Sequence, residues 1–192
     1  MTKRELRREY MQKRKQFSEE EYLTLNHRLR ENFFKTTDLS AVNVLHTFLP
    51  IEKNREVDTW AFIQELQATH PHVRIAVPKM NNQTSELEHY YFEDKDQLAV
   101  NTWGIPEPIR GMPVETSAID LVLVPLLAFD SQGHRVGYGR GFYDRFLSTC
   151  RGVCLKVGLS YFDPVVRIDD VHENDIALDR VVTPSGVISP AS

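Results

Sequence analysis

Cysteine is nearly absent: Cys150 and Cys154 are the only two among 192 residues. Their spacing fits neither Cys-x-x-Cys nor a zinc pattern, which argues against a disulfide scaffold, a zinc site or a dithiol redox centre. Both read as buried or incidental thiols. Long apolar runs are missing too, and none approaches the roughly 20 residues needed to span a bilayer. The opening residues, MTKRELRREYMQKRKQ, contain no apolar h-region, so they do not read as a secretory signal and the protein is expected in the cytoplasm. Without secretion, the Asn82-Gln83-Thr84 triplet carries no glycosylation meaning. The histidines (His27, His46, His70, His72, His89, His134 and His172) are scattered with no helical metal-ligand spacing, and none is assigned a catalytic role. No Gly-x-Ser-x-Gly elbow is present to mark a serine hydrolase.

What is present is ordinary for one soluble α/β domain: 41% hydrophobic and 26% charged residues, with enough length to bury a core. There is no internal repeat and no linker. Charge is unevenly spread. The net charge is −4, yet Met1–Gln16 holds seven basic and two acidic side chains, a local +5 that leaves −9 on the remainder. Lys3–Gln16 is dense in helix formers, and Lys3, Arg7 and Arg14 at i, i+4 and i+11 share one helical face. Such a line of cations fits a polyanion, nucleic acid included, or simply a solvated basic face; periodicity favours the solvated face.

The most informative stretch is Ile119–Leu147. Ile119–Val124 is a short β-branched apolar run suited to a buried strand, ended by Pro125. Asp130-Ser131-Gln132-Gly133 has turn chemistry. Three of the nine glycines follow at alternate positions, Gly137, Gly139 and Gly141, and Phe142, Tyr143, Phe146 and Leu147 then repeat at helical spacing. A glycine-rich loop running into a helix leaves backbone N–H groups free and places a positive dipole end beside them, which suits phosphate. Arg135 and Arg140 add charge, and Asp144 in the first helical turn suits a bridging metal ion. The spacing matches neither Walker A nor the Rossmann fingerprint, and on pattern alone a plain turn competes evenly with an anion site.

The rest of the chain alternates in the α/β manner. Ser18 with Glu21 forms a capping box before an amphipathic helix to about Lys35. Strands are expected at Val42–Leu49 and Val73–Val77, with a helix over Val57–Thr69 between them. Pro50, Pro78 and Pro125 each follow an apolar strand, consistent with loops at one sheet edge, where open α/β sheets bind ligands; the loop Ile51–Glu56 falls there. Leu87–Phe92 reads as an edge strand. Thr102–Pro108 is an extended loop whose prolines rule out helix and central strand. Its Trp103 suits either a stacking platform or a core plug, and the core plug is favoured. Val153–Leu159 and Val181–Thr183 read as strands, Tyr161–Val165 as a short helical turn, and the segment from Pro184 as a frayed tail.

With those residues in place, the sequence closely resembles the 5-formyltetrahydrofolate cyclo-ligase family. The match is strongest in LAFDSQGHRVGYGRGFYDRFL and is supported by KRELR, Glu56-Val57-Asp58-Thr59, WGIPEP and DIALDRVVTP. The resemblance implies a single domain over 1–192 with a three-layer α/β/α fold and a mostly parallel sheet, like the sugar-phosphate isomerases and CoA transferases. It implies an ATP- and Mg²⁺-dependent conversion of 5-formyltetrahydrofolate to 5,10-methenyltetrahydrofolate, releasing ADP and phosphate, by a monomer that needs neither nucleic acid nor membrane. Carried over residue by residue, ATP would meet Lys3, Arg4, Glu5, Leu6 and Arg7 and the loop Arg135, Val136, Gly137, Tyr138, Gly139, Arg140, Gly141, Phe142 and Tyr143. The folate would meet Ile51, Glu56, Trp103 and Tyr138–Phe142. Asp144 and Asp179 would hold Mg²⁺, and Tyr143 and Arg145 would assist the chemistry, Arg145 as a γ-phosphate clamp. Arg140 would either touch phosphate or point to solvent.

Overall fold

The computed structural model describes residues 1–190. In chain order the elements are α1 (Lys3–Lys15), α2 (Glu19–Thr36), β1 (Val44–His46), α3 (Thr59–Thr69), β2 (Arg74–Asn81), β3 (Glu86–Tyr91), β4 (Leu98–Val100), β5 (Pro106–Pro108), β6 (Leu121–Pro125), β7 (Ala128–Phe129), β8 (Arg135–Val136), α4 (Phe142–Thr149), β9 (Leu155–Leu159), β10 (Arg180–Thr183) and β11 (Gly186–Ile188). Seven strands form one sheet in the order β11-β10-β9-β6-β1-β2-β3. The five inner strands run parallel, and β3 and β11 close the two edges antiparallel.

Alternation along the strands builds the layers. Leu121 and Leu123 face the cluster formed with Leu29 and Phe33 of α2 and Phe62, Ile63 and Leu66 of α3. Val122 and Val124 face the opposite side, against Phe146 and Leu147 of α4. Period-2 side-chain direction on a strand buried on both faces makes this sandwich of helix, sheet and helix. α1 belongs to neither layer. It closes a small third cluster in which Leu6 packs with Ala128 and Val136 of the β7–β8 hairpin and with Ile168.

From β1 the chain crosses through α3 to β2; from β6 it crosses through α4 to β9, in the other direction along the sheet. The adjacent C-terminal ends of β1 and β6 therefore form a topological switch point, where open α/β sheets leave a crevice.

Several local expectations change. β2 runs through Pro78 to Asn81. Its pairing with β1 stops at Ala76, and beyond that only β3 lies beside it, with Pro78 opposite His89. A proline is tolerated once one side of the strand needs no ladder donor. Tyr161–Val165 is not helical; Val165 bridges to Asp130 beside β7. The segment after Pro184 is not a loose tail, because β11 forms a hairpin with β10; Ala191 and Ser192 lie outside the described residues. Cys150 and Cys154 are free thiols, Cys154 buried.

One buried pair lies outside the site. His46 at the end of β1 is fully buried, and its Nε2 lies 3.1 Å from Nδ1 of His89, with Phe146 packed against both rings. Burial, then the neighbouring His89, holds the His46 imidazole well below its ordinary range, and burial brings His89 to about 4. Both rings are neutral in the native state at pH 7. Between pH 6.5 and 4 the unfolded chain takes up protons that the folded chain refuses, so stability falls as pH falls. His89 alone should cost about 3 kcal/mol across that window. Urea unfolding at pH 7 and at pH 4.5 should show the loss, and it should shrink in His89→Phe; equal losses in both proteins would remove the pair as its cause.

Candidate functional site

A cleft of about 640 Å³ opens at the switch point. One wall comes from the segment after β1, with Phe48, Leu49, Ile51 and Glu56, and another from the glycine loop and the start of α4. Lys3 and Arg7 of α1 close one end. Trp103 and Ile105, on the loop before β5, cover the other side.

The glycine loop owes its shape to two positive-φ residues. Gly139 sits at φ +90° and Gly141, the residue capping α4, at φ +69°. At Gly139 a Cβ would come within 3.0 Å of the Arg7 guanidinium, so the missing side chain lets α1 approach the loop. Arg7 Nε donates to the Gly137 carbonyl at 2.8 Å. The first N–H groups of α4 have no intrahelical acceptor and carry the positive dipole end. Beneath the loop, buried Arg135 donates from Nη2 to Asp144 Oδ1 at 2.6 Å and from Nη1 to the Ile176 carbonyl. Ile176 N–H in turn donates to Asp144 at 3.1 Å. This fastens the residue 172–178 segment to the head of α4.

α1 reaches the same place from the other side. Lys3 Nζ donates to Asp175, and Lys3 N–H to Asp170 at 2.6 Å. Burial works against the ionised form of Asp175, but the His172 N–H and Lys3 outweigh it and hold the carboxyl below its ordinary value. The face shared by Lys3, Arg7 and Arg14 is thus turned inward, and the solvated reading of it fails for these three residues. Arg4 and Glu5 point outward, Glu5 completing the helix cap with Thr2, and Leu6 is core. Of residues 3–7, only Lys3 and Arg7 line the cleft.

The deep end is aromatic around one carboxylate. Glu56 is 4% exposed; its Oε2 accepts from Ile51 N–H at 2.7 Å and its Oε1 from the Tyr138 hydroxyl. Burial pushes the Glu56 carboxyl up, against the opposing pull of Tyr138, Ile51 N–H and the Arg14 charge. Burial and the Glu56 charge push both the Tyr138 and Tyr143 hydroxyls up, so both remain protonated donors. The Tyr143 hydroxyl is buried without a partner. Trp103 is 37% exposed and is not a core plug; the Arg140 guanidinium stacks 4.4 Å from its ring centre. Arg140 is exposed, as one of its two expected places requires, and at the cleft mouth it lies on the Trp103 ring. Held on Trp103, it latches the loop before β5 to the glycine loop across the cleft mouth.

Besides Arg4, Glu5 and Leu6, three more expected site residues are not brought to the cleft. Arg145 turns outward to the β2–β3 turn, donating to the Ser85 carbonyl at 3.0 Å from Nε, and its remaining partners are the Arg140 carbonyl and the Phe142 ring. One position after Asp144, it points away from the helix face that meets the cleft. Val136 is core. Asp179 accepts from Lys156 N–H at 2.6 Å and Lys156 Nζ at 3.0 Å. Because β9 and β10 are parallel, the residue just before β10 lies at the beginning of the strands, away from the edge carrying the glycine loop. Asp175, four residues earlier, is the second aspartate of the cleft. Sequence reasoning also passed over Arg14, which is 3% exposed and donates to the Tyr138 hydroxyl at 2.5 Å; its helical register with Lys3 and Arg7 was the available signal.

No cluster of three metal-binding side chains occurs among the described residues. Asp144 and Asp175 still fit Mg²⁺, which takes one or two protein carboxylates together with phosphate oxygens and water. The cleft is thus equipped for two different ligand parts. Free N–H groups, two cations and two carboxylates suit a metal-bound polyphosphate. An apolar slot with a buried carboxylate suits a flat ring that offers N–H donors.

The sequence model of the 5-formyltetrahydrofolate cyclo-ligase family matches residues 1–184. A mouse protein named 5-formyltetrahydrofolate cyclo-ligase is 26% identical over 208 residues, covering 99% of this chain and 96% of the relative. The mitochondrial enzyme of that name from Arabidopsis thaliana is 29% identical over 170 residues, which span 75% of this chain but only 60% of the relative. The NMR structure of Aquifex aeolicus 5,10-methenyltetrahydrofolate synthetase superimposes with a TM-score of 0.84 at 31% identity, covering all of this chain and 94% of the other.

Proposed function

We propose that this chain, which belongs to the 5-formyltetrahydrofolate cyclo-ligase family, closes 5-formyltetrahydrofolate to 5,10-methenyltetrahydrofolate with ATP, releasing ADP and phosphate. The observation that carries the reading is a single cleft with a phosphate-binding end, formed by Lys3, Arg7, Asp144, Asp175 and the glycine loop, and a ring-binding end around Glu56.

The formyl oxygen on N5 cannot leave as it stands. Transfer of the γ-phosphoryl group to that oxygen makes it a phosphate ester; N10 then attacks the formyl carbon and gives up its proton to solvent, and the C–O bond breaks with phosphate departing. Phosphoryl transfer of this kind demands alignment and charge neutralisation more than a strong base. Lys3, Arg7 and the N–H groups from Gly139 to Tyr143 hold the phosphates. Asp144 and Asp175 would hold Mg²⁺, which supplies charge neutralisation on the phosphate oxygens when bound. Glu56 accepts hydrogen bonds from the pterin, and Ile51, Trp103 and Tyr138–Phe142 frame it. The unpartnered Tyr143 hydroxyl donates to the bound substrate. Arg145 holds the β2–β3 turn and has no part in the chemistry.

One chain supplies every wall of the cleft, which supports a monomer of one domain as the working unit. No helix among the described residues is long and apolar enough to cross a membrane. The test is direct. Purified protein with Mg²⁺, ATP and 5-formyltetrahydrofolate should produce the absorbance of methenyltetrahydrofolate with one phosphate per turnover. A well-folded sample that binds both ligands without turnover would make it a binding protein instead.

A further inference from the structure

Arg14 is a buried cation without a carboxylate of its own. Among the described residues it forms no ion pair; it donates to the Tyr138 hydroxyl at 2.5 Å, and its Nε has no partner. A buried charge left uncompensated is costly. The nearest compensation runs through Tyr138, whose hydroxyl donates onward to buried Glu56.

With Glu56 ionised, the chain Arg14–Tyr138–Glu56 runs in one direction. A guanidinium donates and never accepts, and a phenol has one proton. Tyr138 oxygen must therefore accept from Arg14, which commits its proton to Glu56 Oε1. Glu56 Oε2 already accepts from Ile51 N–H at 2.7 Å. Both carboxylate oxygens are receiving hydrogen bonds, and each keeps a lone pair for the cleft.

We infer that Arg14 is a positioning residue: acting through Tyr138, it fixes Glu56 as an ionised hydrogen-bond acceptor for the N–H edge of the bound ring. The inference rests on the proposed function for the identity of that ring. Burial pushes the Glu56 carboxyl up, and a carboxylic proton facing a ring N–H would oppose two donors. Three contacts oppose that burial: the Tyr138 hydroxyl and the Ile51 N–H at the carboxylate itself, and behind Tyr138 the Arg14 guanidinium, the one full positive charge among them. Tyr22 of α2 and Tyr161 both donate to the Glu56 backbone carbonyl at 2.9 Å rather than to its carboxylate. Arg55 lies over the Tyr22 ring and pairs with Glu19, and Asp58 caps α3. Tyr143 is neutral and uncharged toward it.

The test measures 5-formyltetrahydrofolate binding without nucleotide from roughly pH 5.5 to 8.5, bracketing a raised carboxyl, together with ATP binding alone. Arg14→Met should weaken folate binding about 10- to 100-fold near neutrality, the scale of a lost hydrogen bond to charge. Affinity should recover as pH rises and Glu56 ionises, with ATP binding unchanged. Arg14→Lys keeps the charge and should keep the wild-type pH profile. Tyr138→Phe breaks the chain without removing the cation, so it should move the profile in the same direction and decides the matter if Arg14→Met does not fold. A uniform loss in these variants with no change in the pH profile would make Arg14 merely structural and overturn the inference. If the wild-type protein itself binds no folate, the proposed function has failed and not the relay.

Discussion

Arg7→Met should lower kcat/KM for ATP by about 10²- to 10³-fold, the usual cost of removing one charged donor from a developing phosphoryl charge. Binding of 5-formyltetrahydrofolate in the absence of nucleotide should stay nearly unchanged. The reason is where the guanidinium lies. Its Nε is tied to the Gly137 carbonyl, and its guanidinium lies close against Gly139, where a Cβ would come within 3.0 Å. The ordering of that side chain is complete before the ligand arrives, so its charge is delivered with little further loss of rotamer freedom. Lys3→Met should cost less, because the Lys3 ammonium is already shared with Asp175. The fold should tolerate both changes, since α1 is anchored by buried Leu6. Steady-state kinetics with ATP varied at saturating folate checks the prediction. An unchanged ATP dependence in Arg7→Met would mean that α1 does not meet the nucleotide.

Asp144→Asn should reduce turnover by about 10³-fold or more and move the Mg²⁺ requirement to higher concentration. An amide keeps an oxygen for the Arg135 and Ile176 donors but loses the charge that would hold the metal. Arg135 is buried and loses its counter-charge, so stability should also fall, by about 1–2 kcal/mol; this discounts the usual cost of breaking a buried pair because the amide oxygen remains. Urea unfolding separates that loss from the kinetic one. The sharpest control compares two other aspartates. Asp175→Asn should also raise the Mg²⁺ requirement, whereas Asp179→Asn should leave it alone, since that carboxylate is occupied by Lys156 at the opposite end of the strands. The reverse result would return Asp179 to the metal.

The parts of the site that were legible in the sequence are those whose chemistry is local. Gly137, Gly139 and Gly141 before a helical repeat, Asp144 in the first turn, and Glu56 in a loop after a strand all announce themselves through neighbours a few residues away. The sheet was legible for the same reason: alternating Leu and Val in LVLVP require two covered faces. What stayed hidden depends on distant geometry. Asp175 and Asp179 flank one short apolar segment, and only the parallel pairing of β9 with β10 decides which of them reaches the cleft. The outward turn of Arg145 depends on the Ser85 carbonyl, 60 residues away. Pro125 marked a strand end, but β1 is only Val44–His46 rather than Val42–Leu49 and stops before Pro50, and β2 runs on through Pro78, where the sheet offered an unpaired side. Arg14 was placed on one helical face with Lys3 and Arg7, but its target, the Tyr138 hydroxyl beside Glu56, lies 124 residues away.

α1 also has a consequence for the order in which the molecule is built. Its polar anchors are Asp170 and Asp175 for Lys3, Gly137 for Arg7 and Tyr138 for Arg14, sequence separations of 124 to 172 residues. Closing such long loops is entropically costly until their partners are already fixed. α1 is therefore expected to be among the last elements to find its place, since Asp170 and Asp175, which anchor Lys3, lie more than 160 residues further along the chain. Under the proposed function, the phosphate end of the cleft would take shape only once α1 has met the segment carrying Asp170 and Asp175.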